Sequence, residues 1–259
     1  MICALIGIEP DRIDDMSRWA GSILQSLRLD AFNYLDEIEQ ALAEIDEYIE
    51  TLITQRRANP CDDLLSNLIA VEDEGDRLSA SELLAVVEMM LVAGTDTTRN
   101  QLSCMINTFC EHPGEWARLR SRPELIANAV EEAIRWDPAT AAIPRFALED
   151  IEIGGVTVPA GNLLVLLSMS ANHDDAALPE ADRFDITRQT PGGWHLLTFG
   201  GGIHYCLGAS LARLELTEAL AEMVDRFPTL TLTEPAIPHP AGSPIFGYSK
   251  LALSWAAAD

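Results

Sequence analysis

Lysine is almost missing from this chain: Lys250 is the only one, so arginine supplies nearly all of the positive charge. Against 17 basic residues stand 41 acidic ones, a formal net charge of −24 over 259 residues. A surface that negative repels phosphate backbones and anionic lipid, so neither nucleic acid nor a membrane is an expected partner. Aromatic residues are 6% of the chain and hydrophobic residues 48%, which makes the core chiefly aliphatic and the composition that of a folded protein. No apolar run approaches the ~20 residues that span a bilayer. Met1–Ile8 is apolar but has no basic start and is too short for a signal peptide. The five cysteines (3, 61, 104, 110 and 206) contain no CxxC pair and are odd in number. That speaks against zinc sites and a disulfide framework, and fits a soluble protein of a reducing cytoplasm.

What is present is mostly helical patterning. Residues 10–30 hold short amphipathic pieces, with Ile23, Leu24 and Leu27 on one face. Over Asp36–Arg57 the apolar positions Ile38, Leu42, Ile45, Ile49 and Leu52 repeat at steps of four and three, which predicts a helix lying on a core. Asn59-Pro60 ends it. Asp62 or Asp63 caps a short helix through Val71, and an acidic turn follows around Gly75. Ser79-Ala-Ser-Glu82 is a capping box that opens a helix over 79–111, stopped by His112-Pro113.

The middle of that helix, Ala93-Gly-Thr-Asp-Thr-Thr98, breaks local rules. A glycine costs about 1 kcal/mol inside a helix, and residues that compete for backbone hydrogen bonds follow it. Two readings stand side by side. In one, Ala93 and Gly94 let a flat ligand approach the backbone while Asp96 and Thr97 relay protons. In the other, the threonines bond back to carbonyls one turn earlier and merely bend the helix. Farther on, a short basic helix over 114–122 leads to another over 123–136 that contains Glu132-Ala-Ile-Arg135, a pair on one helix face. The chain then turns to strands over 143–169. Phe146–Ile153 and Val156–Val158 flank the hairpin signal Gly154-Gly155, and Pro159-Ala-Gly161 leads into an apolar strand Leu163–Met169. Short strands over Leu230–Thr233 and Tyr248–Trp255 close the chain.

The stretch with the densest chemistry is Phe199–Arg213, FGGGIHYCLGASLAR. Glycines permit a tight backbone, and helix begins near Ser210, so Cys206 sits by the positive end of a helix dipole, which favours the thiolate form. Such a thiolate can be a nucleophile, a redox sensor or a metal ligand. Phe199, Gly200, Gly202, His204, Cys206, Gly208, Ala212 and Arg213 fit the pattern FGxGxHxCxGxxLAR, which resembles the haem-binding loop (199–208) of the cytochrome P450 family. With that loop present, Ala93–Thr98 is similar to the family's central-helix motif.

The resemblance implies a mainly α fold with small β-sheets (α+β), of the cytochrome P450 kind, with residues 1–259 as a single domain lacking the family's N-terminal part. It implies haem b held through Cys206 as the proximal thiolate ligand, with Phe199, Gly200, Gly208, Ala93 and Gly94 against the cofactor. Arg145 and His204 stand where the family contacts the propionates. Glu132, Arg135 and Arg183 match a structural trio behind the loop, while Asn172-His-Asp174 departs from the family's usual Asn-Arg-Asp. The implied activity is that of a bacterial-type monooxygenase inserting one oxygen atom of O2 into a small hydrophobic substrate, with Asp96 and Thr97 catalytic. Electrons would come from NAD(P)H through a ferredoxin or flavodoxin and its reductase. Two alternatives remain open: a truncated remnant that binds haem weakly or not at all, and a redox-sensing thiol at Cys206 without haem.

Overall fold

The computed structural model describes residues 1–73, 78–189 and 195–255. The architecture is mainly α with small sheets, and the chain divides into two compact units: residues 1–99 with 240–244, and residues 100–239 with 245–259. Among the described residues no helix is long and apolar enough to cross a membrane.

The first unit is helical. Helix α1 (Ile2–Ile6) ends at Gly7, whose φ of 82° is the left-handed conformation a glycine cap supplies. Helix α2 (Ile13–Leu24) packs on α3 (Leu35–Ala58), which in turn meets α4 (Leu64–Asp73). The stripe expected on α3 turns inward, with Ile38, Ile45, Ile49 and Leu52 buried. Asp63 caps α4, its Oδ1 accepting the Ser66 N–H at 2.8 Å. Leu27 departs from the expected face: it sits past the end of α2 in a 3-10 turn and is exposed. The expected acidic turn around Gly75 lies outside the described residues.

Helix α5 (Ala80–Glu111) contributes residues to both units. Its capping box is complete: Ser79 N–H donates to Glu82 Oε2 at 2.8 Å and Glu82 N–H donates to Ser79 Oγ at 3.3 Å.

In the second unit, α6 (Pro113–Ser121), α7 (Ile126–Trp136) and α9 (Ala209–Arg226) enclose a core with the end of α5. Phe109 stands edge-on to Trp116 and Phe184, ring centres 5.4 and 5.5 Å away. Among the described residues the unit also holds four two-stranded antiparallel sheets. Strand β1 (Ile143–Phe146) pairs not with its neighbour in sequence but with β4 (Leu163–Leu166), and β2 (Ile151–Ile153) with β3 (Val156–Val158) forms the glycine hairpin. Gly154 and Gly155 both have positive φ, 58° and 81°, as that tight turn requires. The strand expected over Phe146–Ile153 is therefore broken at 147–150, where Asp150 Oδ1 accepts the Ala160 N–H at 2.9 Å. The strand expected to reach Met169 stops at Leu166, and Met169 lies in α8 (Ser168–Asn172). The tail adds β5 (Thr231–Leu232) with β8 (Leu253–Ser254), and β6 (Ile237–Pro238) with β7 (Tyr248–Lys250).

Candidate haem-thiolate site

The cysteine loop is a backbone device. Cys206 N–H donates to the Phe199 carbonyl at 2.9 Å, which closes residues 199–206 into a ring. Turning the chain that sharply needs positive φ at Gly200 (71°) and Gly202 (64°), the two glycines of the pattern, whereas Gly201 is extended at −163°. A side chain at 200 or 202 would be strained, and one at 201 would not. Gly208 caps α9, and a Cβ there would lie 4.0 Å from Cys206 Sγ, in ordinary contact with the sulfur. Cys206 and His204 are exposed. The free thiol shares its loop with outward apolar side chains, Ile203 at 97% and Leu207 at 74% exposure.

Neighbouring elements frame the loop. A Cβ on Gly200 would approach Ile143 Cδ1 at 3.9 Å, which places β1 alongside, and β1 carries Arg145 two residues on. The Arg145 guanidinium donates to its own neighbour, the Pro144 carbonyl, at 2.8 Å. Arg213 reaches back from α9 with its guanidinium carbon 4.4 Å from the centre of the Phe199 ring. A soft cysteine sulfur, an exposed apolar loop and an arginine on the bordering strand are the donor set that an apolar iron macrocycle with carboxylate arms requires, so the residues present fit haem.

Behind the loop lies a buried ionic knot. Glu132 and Arg135 are 4% and 1% exposed. Arg135 Nε and Nη2 donate to the two Glu132 oxygens at 2.8 and 2.9 Å, and its Nη1 donates to the carbonyls of Asn172 and Ala181. The third cation is not the expected one. Arg188 Nε meets both Glu132 oxygens at 3.1 Å, while the Arg183 guanidinium turns outward to Glu180 and Asp185. Their side-chain exposures, 9% for Arg188 and 56% for Arg183, separate the two roles. Arg183 still serves the knot through its carbonyl, which accepts from Arg135 and Arg188. The knot is satisfied at every turn: the other Arg188 nitrogens donate to the carbonyls of Pro179 and Glu180, and Asp185 N–H donates to Glu132 Oε1. A spacing rule read in sequence locates Glu132 and Arg135, but Arg188 carries no local pattern. His173, where arginine was expected, bridges the Trp136 carbonyl (2.9 Å) and Asp182 (3.1 Å).

On α5, Thr95 and Thr97 donate their hydroxyls to the carbonyls of Leu91 and Ala93 at 2.6 and 2.7 Å. The local back-bonding reading is thus realised. Asp96 is buried and pairs with Arg99 at 2.6 Å. A Cβ at 94 would meet the Ile2 side chain at 3.2–3.4 Å, so this glycine admits α1 to the helix. Ala93, one residue earlier, is exposed.

A family profile described as Cytochrome P450 matches residues 12–250. The chain belongs to the cytochrome P450 family. This P450 chain is 40% identical over 234 residues to the vitamin D(3) 25-hydroxylase of Pseudonocardia autotrophica, covering 90% of its own length and 56% of the relative's. It is 40% identical over 237 residues to the mycinamicin IV hydroxylase/epoxidase of Micromonospora griseorubida, at 91% and 58% coverage. The crystal structure of CalO2 superposes with a TM-score of 0.90 at 28% identity, over 99% of this chain and 64% of that one. The chain therefore spans little more than half the length of the curated relatives it matches.

One acidic site lies apart from the loop. Asp137, at the end of α7, is pushed up to about 6 by burial and by the nearby Glu111 carboxylate. It lines a cavity of about 600 Å³ with Asn107, Glu111, His173 and Tyr248. Cys104 and Tyr248, its neighbours, are both held protonated by desolvation, their pKa values raised.

Proposed function

We propose that this chain carries the haem-thiolate part of a monooxygenase that inserts one oxygen atom of O2 into a small hydrophobic organic substrate. The observation that carries the reading is the presentation of Cys206: an exposed thiol on a loop closed by its own amide and turned by two left-handed glycines. The names of its relatives, hydroxylases among them, support the class of reaction. Bound haem b would supply the activation of O2. Cys206 would hold the iron, with Arg145 and His204 towards the propionates and Phe199, Gly200, Gly208 and Ala93 around the ring. Thr97 would orient a proton donor: its own hydrogen goes to the Ala93 carbonyl, leaving the oxygen's lone pairs to accept from water. Asp96, fixed by Arg99, would exchange protons with solvent. Electrons would come singly from a ferredoxin or flavodoxin, with its reductase and NAD(P)H upstream.

Thr97→Ala is the test of the proton role. Electron flow from a surrogate reductase should continue while the share released as peroxide rises at least severalfold. Unchanged coupling of electrons to product removes Thr97 from the mechanism.

A further inference from the structure

We infer that Glu131, acting through Arg213, is a positioning residue that holds the cysteine loop closed before haem arrives; its purpose rests on Cys206 being the ligand. Glu131 precedes the buried Glu132 on α7, and one residue turns a helix by about 100°, so the two carboxylates leave the helix in different directions. Glu132 enters the ionic knot, whereas Glu131 takes the Arg213 guanidinium, Nε to one oxygen and Nη2 to the other at 3.2 Å. With the two nitrogens of one edge so fixed, the guanidinium plane has one orientation. Its carbon lies 4.4 Å from the Phe199 ring centre, and its Nη1 donates to the Tyr205 hydroxyl at 3.3 Å.

Phe199 is one end of the closed ring, and Tyr205 adjoins the other end. Phe199 supplies the carbonyl that accepts the Cys206 N–H, and Tyr205 adjoins Cys206. Their rings also meet, centres 6.5 Å apart. One planar cation therefore holds by side chains one end of the ring and the residue next to the other end. A lysine has neither the plane to stack nor the fork to be fixed by a carboxylate, so charge alone does not reproduce the clamp. Pre-ordering the loop removes part of the entropy lost when the thiolate is fixed on iron.

The test uses the haem-free chain first. Amide exchange at Cys206 and Tyr205 is compared in wild type, Glu131→Gln and Arg213→Lys. Both variants should exchange these amides roughly tenfold faster, the scale of one charge-assisted hydrogen bond, with α9 amides that exchange by local opening unchanged. Unchanged exchange at Cys206 overturns the inference, and so does a uniform rise across α7 and α9, which would mark the pair as general stabilisation. This arm reads the clamp whether or not Cys206 binds iron. In the haem-loaded variants, the reduced carbon monoxide complex should show a larger fraction of its shorter-wavelength, thiol-type form. An unchanged fraction overturns the positioning role even where exchange has risen. A carbonyl complex without any thiolate-type form in the wild type would instead overturn the ligand assignment.

Discussion

Replacing Arg188 by alanine and, separately, Arg183 by alanine separates two accounts of the buried knot. Arg188 gives its Nε to both Glu132 oxygens and its other nitrogens to three carbonyls, with a side chain 9% exposed. Breaking a buried ionic partnership costs about 3–5 kcal/mol. Glu132 keeps Arg135 and the Asp185 N–H, which places the cost for Arg188→Ala near the lower end, about 3 kcal/mol. That lowers the ratio of folded to unfolded chain by roughly a hundredfold. Arg183 is a surface ion pair with 56% of its side chain exposed, and its contribution to the knot is a carbonyl that alanine retains. Arg183→Ala should cost less than about 1 kcal/mol. The assay is urea unfolding followed by tryptophan fluorescence, Trp136 lying next to Arg135, with the slope in urea unchanged if the midpoint shift reports stability. Arg188→Lys, which keeps the charge but loses the fork, should fall between the two and serves if the alanine variant does not fold. A larger loss for Arg183→Ala than for Arg188→Ala would refute the reasoning.

Two further outcomes are expected. Asp137 has a folded-state pKa of about 6 against an ordinary 3.8, so the folded chain holds the proton that the unfolded chain has released. Stability should fall as pH rises from about 4 to 6 and then level off, by up to about 3 kcal/mol, and Asp137→Asn should abolish that slope and gain stability at neutral pH. Unfolding midpoints across that range check it, and an unaltered slope in the variant contradicts it. Gly94→Ala adds a methyl 3.2 Å from the Ile2 side chain, so overpacking should outweigh the helix-propensity gain of about 1 kcal/mol. The same change made in an Ile2→Ala background should be stabilising, and equal effects in the two backgrounds would contradict the contact.

Where the physics is local, the sequence carried the fold. Ser79 and Glu82 must sit three apart to cap each other, and they open α5. Glycines at 200 and 202 are demanded by backbone angles, and the pair Glu132–Arg135 by helix geometry. Where the determinant is a distant partner, local pattern gave out. Arg188 reaches a carboxylate 56 positions earlier, and an arginine in a polar stretch announces nothing of that. Gly94 marks a close approach, but nothing near it in sequence names Ile2, 92 positions earlier, as a side chain that comes close. The apolar run from Leu163 looks continuous, yet its pairing with β1 ends opposite Ile143 and the chain turns into α8. Glu131, which touches the loop through Arg213, lies beside Glu132 with no spacing rule to set it apart.

The central claim is that Cys206 presents a thiolate to haem iron, and one spectrum tests it most directly. The purified chain is titrated with haem, reduced under carbon monoxide, and compared with Cys206→Ser. The wild type should give the long-wavelength Soret band of a thiolate–carbonyl complex, and the serine variant should lose it. The same band in both, or only the shorter-wavelength band of a histidine-ligated haem in the wild type, would contradict the account.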